Sequence, residues 1–306
     1  MFDVLGIGEN SIDYVYELPV YPQLRGPTAK TRIDTRRVSP GGQVATTLCT
    51  CAAMGLSTSY VGALGNDDGG RLVRDELTKR GVDLSHSTTR DAPNRYAVIL
   101  VDKMTGERVV LWQRDSSLEL HARDINPGVI RSARLLHVDD LDIEASIQAA
   151  RIAREGGLPV TSDIGHATYG THLLIAELTD AVTVPIFAEG GPEALTGEDD
   201  PERALRALQQ PHHRFVCVTL GARGAMMLEG NTVHTEPGVR VQAVDTTSAG
   251  DVFRGAFIYA LLRGDAPREI LRFANAAAAL SCTKVGAMSS VPTLADVQRL
   301  KTFSSS

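Results

Sequence analysis

The sequence predicts an α/β protein in which helices cover both faces of a mostly parallel β-sheet. Short apolar runs that suit buried strands alternate with helical stretches between about residues 135 and 220. Strands that alternate with helices of this length form right-handed crossover units. Two strand-rich stretches, at about 14–40 and 92–113, interrupt the alternation and predict a small sheet that projects from the main body. We therefore expect residues 1–306 to form one domain into which the small sheet is inserted.

The N-terminal part begins with a predicted strand. Phe2 to Gly8 is a short apolar run that ends in glycine, which is typical of a buried strand before a turn. Residues 13–38 mix apolar and polar residues and contain three prolines, so exposed strands are favoured over a helix. The small apolar residues from Gly41 to Met54 predict a helix. A strand at 60–64 and a helix at about 71–80 follow.

The remaining elements are a hairpin and then a regular alternation. Tyr96–Val101 and Arg108–Trp112 flank a turn-forming segment, which predicts a β-hairpin. Strands are predicted at 135–138, 158–162, 181–187 and 214–220, and helices at 143–154 and 202–209.

Composition and charge exclude several classes of partner. The 31 Lys+Arg and 37 Asp+Glu give a formal net charge of −6. Such mild acidity argues against nucleic-acid binding and against a polybasic membrane surface. No apolar run approaches the roughly 18 residues that a membrane span needs, and the residues after Met1 lack the pattern of a signal peptide. The four cysteines form no Cys-x-x-Cys pair and are expected to be reduced, as in a cytoplasmic protein.

The segment from Asp245 to Asp251 precedes a long apolar stretch with helical spacing. Amides at the start of a helix bind anions, and the small residues Ala249 and Gly250 let a phosphate approach them. A carboxylate in the same turn, Asp251, would repel the phosphate. Its presence is explained if it accepts a proton from a hydroxyl that attacks the phosphoryl group. The alternative is that Asp251 only caps the helix, since acidic residues are favoured there.

Other glycine-rich turns are candidates for binding a ligand. Gly221 to Gly224 lies between two predicted strands, where it either forms a hairpin turn or lets a nucleotide phosphate approach the backbone beside Thr219. Gly41-Gly42 precedes a helix in a similar way. Asp13 follows the first strand and either binds a polyhydroxylated ligand or caps a turn. Gly6-x-Gly8 lacks the third glycine and the βαβ unit of a dinucleotide site.

Together these residues resemble the ribokinase/PfkB carbohydrate-kinase family over nearly the whole chain. Gly41-Gly42 and the segment from Gly62 to Gly69 are similar to the family's first signature, and Asp245 to Asp251 with Gly255 is similar to its second. The resemblance implies a three-layer α/β/α sandwich with a small β-sheet lid. It also implies a kinase that uses ATP and Mg²⁺, and in many members K⁺, to phosphorylate a hydroxyl of a small-molecule sugar or sugar derivative.

The resemblance further implies roles for individual residues. Asp251 would be the catalytic base, and the amides of Ala249, Gly250 and Asp251 would form an anion hole. The sugar site would contain Asp13, Gly42 and Gln43, with Lys30 and Arg114 as further candidates from the lid region. The ATP site would contain Thr219, Gly221 and Gly224 at the phosphates and Asn275 near the adenine. Asp245 and the backbone of residues 282–290 occupy the place where many members of the family bind a monovalent cation.

Three positions depart from the family pattern. Ser248 replaces a commoner Gly or Ala, and Thr46 stands where many members have a sugar-contacting Asn. Ala188-Glu189-Gly190-Gly191 replaces the Asn-x-x-Glu motif that is linked to magnesium and phosphate. Glu189 is a candidate to act there through water, since Mg²⁺ usually keeps several waters.

Three functions are therefore open at this point: a sugar kinase, a nucleoside kinase of the same fold, and a sugar- or nucleotide-binding protein without catalysis. The scarcity of aromatic residues that could stack a second base counts against the nucleoside kinase. The altered residues 188–191 favour the inactive protein, and the intact Asp251 opposes it. The edge strands of the small sheet also predict a homodimer through that sheet.

Overall fold

The computed structural model describes residues 1–104, 108–165 and 172–303. The strands, in chain order, are β1 (Phe2–Ile7), β2 (Ser11–Leu18), β3 (Thr35–Gly41), β4 (Thr58–Val61), β5 (Ala63–Gly65), β6 (Val82–Asp83), β7 (Thr88–Arg90), β8 (Tyr96–Asp102), β9 (Arg108–Gln113), β10 (Ala133–Asp139), β11 (Val160–Ile164), β12 (Val184–Phe187), β13 (Val216–Thr219), β14 (Ala225–Glu229) and β15 (Thr232–Glu236). The helices are α1 (Gln43–Ala53), α2 (Asp68–Lys79), α3 (Pro127–Ile130), α4 (Ile143–Glu155), α5 (His172–Ala181), α6 (Gly191–Thr196), α7 (Pro201–Leu208), α8 (Ala249–Arg263), α9 (Pro267–Ser281), α10 (Ala287–Ser290) and α11 (Leu294–Phe303).

The large sheet forms the centre of the molecule. Within the described ranges it contains nine strands in the order β15-β14-β13-β12-β11-β10-β1-β4-β6. The strands from β13 to β6 pair in parallel, and β14 and β15 are added antiparallel at one edge. The strand order reverses between β10 and β1. In sheets of this kind, the crevice outside the carboxyl ends of the strands at such a reversal binds ligands.

Helices cover both faces of the large sheet and bury an apolar core on each side. One core includes side chains of α1, α2, α8, α9 and α11, and the other includes side chains of α3, α4, α5 and α7. Because both faces are covered, central strands such as β10 and β11 are apolar or buried along almost their whole length. The three-layer α/β/α fold predicted from the sequence is confirmed.

A separate small sheet stands beside the large one. The described residues form it from four strands in the order β3-β2-β8-β9. β2 pairs in parallel with β8, and β8 and β9 form the predicted antiparallel hairpin. The residues that connect them, 105–107, lie outside the described residues.

Two predicted strands have different bounds in the structure. The strand predicted at 60–64 divides at Gly62, after which β5 leaves the large sheet and pairs with β7. The strand predicted at 181–187 begins only at Val184, because Ala181 ends α5 and buries its side chain against the core. An isolated apolar run does not distinguish the buried end of a helix from the start of a strand.

The cysteines are free thiols, and Cys49, Cys51 and Cys217 are buried. Among the helices of the described ranges, none combines the length and the apolar character that crossing a membrane requires.

Candidate active site

A cavity of about 430 Å³ lies where the small sheet meets the crevice at the ends of β1 and β10. A volume of this size is typical of sites for small molecules. Five of the predicted site residues line it: Asp13, Gly42, Gln43, Arg114 and Asp251. The tertiary structure thus brings together residues that are up to 238 positions apart in the sequence.

The start of α1 is placed on the loop after β1 by close backbone contact. Gly42 precedes α1 with a φ of 102°, and a Cβ atom at this position would lie 2.5 Å from Cα of Asn10. The amide of Ala45 donates a hydrogen bond of 3.1 Å to the carbonyl of Glu9. Only glycine combines this φ with such a close approach. The signature glycine therefore holds the start of α1 at the cavity.

Helix α8 packs directly on α1, which positions Asp251. A Cβ atom at Gly255 would lie 2.5 Å from Cβ of Thr50, so the two helices approach at a position without a side chain. The Thr47 hydroxyl donates a hydrogen bond of 3.1 Å to the carbonyl of Asp251. Gly255 of the second signature thus aligns the beginning of α8 with the cavity.

The first amides of α8 lie beside Asp251. The amides of Gly250 and Asp251 have no acceptor within the helix, because they belong to its first turn. The amide of Ala249 already donates to the carbonyl of Thr246 at 3.3 Å. Of the three predicted anion-hole amides, those of Gly250 and Asp251 are therefore the ones that the helix geometry leaves for an anion.

A buried ion pair lies next to this turn and was not anticipated from the sequence. Nη2 of Arg254 is 2.6 Å from Oδ1 of Asp163, and each side chain is only 3% exposed. A Cβ atom at Gly250 would lie 2.7 Å from Nη1 of Arg254, so the guanidinium adjoins the start of the helix. Arg254 is three residues after Asp251 on the same helix, a spacing that could have suggested their proximity.

Burial raises the pKa of Asp251 well above its ordinary value. The neighbouring charge of Asp163 raises it further, while the Arg254 guanidinium lowers it. A carboxyl group with a raised pKa is a stronger base once it is deprotonated. The local environment therefore suits Asp251 for proton transfer.

Two more carboxyl groups line the cavity. Burial raises the pKa of Asp13 to about 6, although the Ser11 hydroxyl, which donates to it at 3.3 Å, opposes this shift. Burial also raises the pKa of Glu9 to about 7. Glu9 follows β1 directly, and its own amide donates to Oδ2 of Asp139 at 2.7 Å. Sequence analysis missed Glu9, although its position after the first strand was a usable signal.

Two arginines line the part of the cavity that is formed by the small sheet. Nη2 of Arg95 pairs with Oδ2 of Asp142 at 2.9 Å, and Arg114 pairs with the other oxygen of the same carboxylate. Arg95 also reaches the carbonyl of Leu118 at 3.5 Å, and Arg114 reaches that of Leu141 at 3.4 Å. Sequence analysis named Arg114 but not Arg95, whose partner lies 47 residues away.

The four ATP candidates do not line this cavity. Three of them lie at or after the carboxyl end of β13, which is three strands away from β10 in the large sheet, and Asn275 lies on α9. Thr219 ends β13 and donates to the carbonyl of Phe187 at 3.3 Å. Gly221 begins the turn between β13 and β14, and Gly224 ends it. A Cβ atom at Gly224 would lie 2.1 Å from the carbonyl oxygen of Glu236. The Asn275 side chain donates to the same carbonyl at 3.0 Å, so Gly224 and Asn275 converge on one backbone segment.

The two metal candidates are already engaged with the protein. Asp245 accepts hydrogen bonds from the amides of Thr247 and Gly286, both at 2.9 Å, and so connects its loop to residues 282–290. Glu189 pairs with Arg223 at 2.5 Å and lies beside Gly221. In the described part of the chain, no cluster of three or more acidic, His or Cys side chains could hold a metal ion by itself.

Two other positions lie away from the cavity. Lys30 is exposed and follows a short helical turn, and Thr46 is fully buried in α1. Neither residue lines the cavity. The structure therefore does not bring Lys30 to the other candidate sugar residues.

Comparisons with known proteins agree with this fold. Residues 3–294 match the model of the pfkB family of carbohydrate kinases. The chain is 29% identical to a ribokinase of Haemophilus influenzae over 94% of each chain, and 29% identical to fructokinase-1 of Oryza sativa subsp. japonica over 97% of each. Among solved structures, it resembles an Arabidopsis thaliana ribokinase complexed with ribose and ATP, with a TM-score of 0.84, 25% identity and 98% of each chain covered.

The fold is that of a sugar kinase. The chain belongs to the pfkB family of carbohydrate kinases, because the family model covers almost its entire length.

Proposed function

We propose that this carbohydrate kinase transfers the γ-phosphoryl group of ATP to a hydroxyl of a sugar or sugar derivative, with Asp251 as the general base. The observation that carries the assignment is the position of Asp251 in the first turn of α8, in a cavity that Asp13 and Gly42 also line. A base and a set of free helix amides in one turn serve proton transfer and anion stabilisation together.

The reaction follows from these positions. The Asp251 carboxylate takes the proton of the acceptor hydroxyl, whose oxygen forms a bond to the γ-phosphorus of ATP. The bond from that phosphorus to the bridging oxygen breaks, and ADP leaves with the electron pair. The amides of Gly250 and Asp251 stabilise the charge on the transferring group. Asp13 and the backbone at Gly42 and Gln43 hold other sugar hydroxyls, and Arg114 is a further contact.

The nucleotide would lie along the turn after β13, with its phosphates at Thr219, Gly221 and Gly224 and its adenine towards Asn275. The relation to ribokinases and the position of this turn at the carboxyl end of a parallel strand support the assignment. Bound Mg²⁺ would neutralise charge on the ATP phosphates. Glu189 suits this role because it adjoins Gly221, and Mg²⁺ takes most of its ligands from phosphate and water.

We extend the proposal to the surroundings of the site. Asp245 and residues 282–290 would hold K⁺ near the start of α8. The chain would work as a single kinase domain with the small sheet as its lid. Its free thiols support a cytoplasmic location.

The substitution Asp251→Asn tests the proposed base. It should lower kcat by about 10³-fold, because an amide cannot accept the proton, while ATP binding measured by calorimetry is retained. ATP consumption would be measured with sugars, sugar phosphates and nucleosides, with Mg²⁺ and either K⁺ or Na⁺.

Asp265→Asn is the matched control, since Asp265 lies just beyond the other end of α8 and pairs only with Arg263 at 3.4 Å in the described contacts. It should leave kcat unchanged. Robust turnover by the Asp251→Asn enzyme would remove Asp251 as the base. A preference for nucleosides would replace the sugar with a nucleoside as the acceptor.

We also propose a homodimer through the small sheet. β9 is an edge strand, and its alternate residues Val109 and Leu111 are 43% and 56% exposed, while Val110 and Trp112 line the cavity. An exposed apolar edge is a surface that proteins usually cover. Leu111→Asp should convert a dimer to a monomer in sedimentation equilibrium. A wild-type chain that is monomeric at working concentration would contradict the proposal.

A further inference from the structure

We propose that the substrate of this kinase carries an anionic group, and that Arg95 and Arg114 bind this group in the part of the cavity formed by the small sheet. The inference rests on the proposed kinase function and narrows its substrate class. The group would be a carboxylate, a phosphate or a sulfonate, which present similar oxygen acceptors to a guanidinium.

The first observation is that Arg95 has unused donors although it is buried. Its side chain is only 4% exposed and lines the cavity. Nη2 is used by Asp142 and the Leu118 carbonyl, whereas Nε and Nη1 have no hydrogen-bond partner among the described residues. Nε of Arg114 is also buried and has no hydrogen-bond partner among the described residues. A buried donor on a charged group destabilises the folded protein when it has no acceptor. Unpaired donors that line a cavity therefore indicate that a ligand supplies the acceptor.

The second observation is the local balance of charge. Arg95 and Arg114 share one carboxylate, that of Asp142, so two guanidiniums are in direct contact with a single carboxylate. Burial, and then the charge of Arg95, lower the pKa of Arg114 to about 10, so the Arg114 guanidinium remains charged at neutral pH. A bound anion would relieve the repulsion between the two guanidiniums.

The nearby carboxyl groups compensate this charge only partly. Burial raises the pKa of Glu9 and of Asp139 to about 7, so each is incompletely ionised at neutral pH. Glu119 is the other acid whose charge acts on Arg114. It directly follows the small 3-10 turn that ends at Leu118, and it does not line the cavity.

The third observation is that the arginines and Asp251 lie in different parts of the cavity. Asp251 lies in the first turn of α8, whereas Arg95 directly precedes β8 and Arg114 directly follows β9 of the small sheet. Glu9, which follows β1, lines the same cavity. A substrate that reaches both would place its hydroxyl at Asp251 and its anionic group at the arginines.

A purely structural role would explain part of this arrangement. Asp142 begins the turn into α4, and its pairing with both arginines fastens β8 and β9 to the main body. This role uses one side of each guanidinium. It does not account for Nε and Nη1 of Arg95, which lie on different edges of the guanidinium, so an anion at either edge would supply an acceptor for one of them.

The test compares sugars that differ only in an anionic group. The probes are fructose, fructose 6-phosphate, 6-deoxy-6-sulfofructose, glucose and gluconate, assayed by ATP consumption and, without ATP, by calorimetric binding. We expect at least one anionic probe to exceed its neutral partner in kcat/KM by about 100-fold, since hydrogen bonds between charged groups are lost with the neutral sugar. The probe with the highest kcat/KM shows whether the anionic group of the substrate is a phosphate, a sulfonate or a carboxylate.

Arg114→Gln should raise KM and Kd for the preferred anionic probe by about 10- to 100-fold. It should raise KM for the neutral sugar several-fold less, because a neutral sugar loses no charged hydrogen bond. Arg114→Lys keeps the positive charge but lacks the forked set of donors. Its KM for the anionic probe should therefore lie between the values for the wild type and for Arg114→Gln. Arg134→Gln is the control for loss of a positive charge, because Arg134 pairs with Asp3 at the opposite end of β10.

Arg95→Gln is the second variant and is first checked by its Tm, because it removes one partner of Asp142. If neutral sugars are preferred, or if the arginine variants change KM for neutral and anionic probes equally, the anionic substrate is excluded while the kinase remains. If no probe is phosphorylated but an anionic one binds in an Arg114-dependent way, the anion site stands and the proposed reaction fails.

Discussion

Two buried arginine–aspartate clusters each contribute side chains to the lining of one cavity, and they differ in composition. At the start of α8, one guanidinium, that of Arg254, faces the carboxyl groups of Asp163 and Asp251. At the small sheet, two guanidiniums, those of Arg95 and Arg114, share the single carboxylate of Asp142. The first cluster has an excess of acid and the second an excess of base.

The difference shows how one cavity can provide two chemical environments. An excess of carboxyl groups raises pKa values, which suits a group that must accept a proton. An excess of guanidinium groups suits the binding of an anion that does not react. The buried pairs thus determine which part of the cavity performs proton transfer and which part recognises the substrate.

The largest expected effect is the loss of Arg254, which has the only guanidinium that faces Asp163 in the described structure. Arg254→Leu leaves that carboxyl group buried without a positive partner. We expect the free energy of unfolding to fall by about 3–5 kcal/mol. It would be measured by urea denaturation at pH 7.

Arg95→Leu is the matched change in the other cluster. It should lower the free energy of unfolding by clearly less, about 1–3 kcal/mol, because Asp142 keeps Arg114 as a partner. The double variant Arg254→Leu/Asp163→Leu should regain part of the stability that Arg254→Leu loses, since it removes the buried carboxyl group that Arg254 contacts directly. Equal losses for the two single variants would mean that the clusters do not differ in the way described.

A smaller effect is the pH dependence of stability without substrate. Burial raises the pKa of Asp163, Asp139 and Glu9 to about 7 and that of Asp13 to about 6. Their stabilising contribution is complete below about pH 4, where both the folded and the unfolded chain hold these protons. Between about pH 4 and pH 7 the unfolded chain releases them first, so the free energy of unfolding should fall as pH rises.

Urea denaturation from pH 4.5 to pH 8 at constant ionic strength measures this decline. Asp139→Asn should make the decline shallower, since that side chain no longer titrates. A stability that is flat or that rises across this range would show that these carboxyl groups have ordinary pKa values in the folded protein.

Local sequence patterns predicted much of the fold and part of the site. The helices α1, α2, α4 and α7 fall within a few residues of the predicted bounds, because apolar spacing and glycine at the ends are local signals. The same applies to the loop before α8, where small residues, hydroxyls and an aspartate occur in one turn. The family resemblance added Gln43 and Arg114, which line the cavity with Asp251.

The sequence by itself determined the α/β class, the separate small sheet and the turn that carries Asp251, because each depends on residues that are close together in the chain. Only the tertiary structure decided which charges face each other. Arg254 and Asp163 are 91 positions apart, and Arg95 and Asp142 are 47 apart. Charge pairs of this kind leave no periodic pattern in the sequence, because their geometry arises only when distant strands and helices pack together.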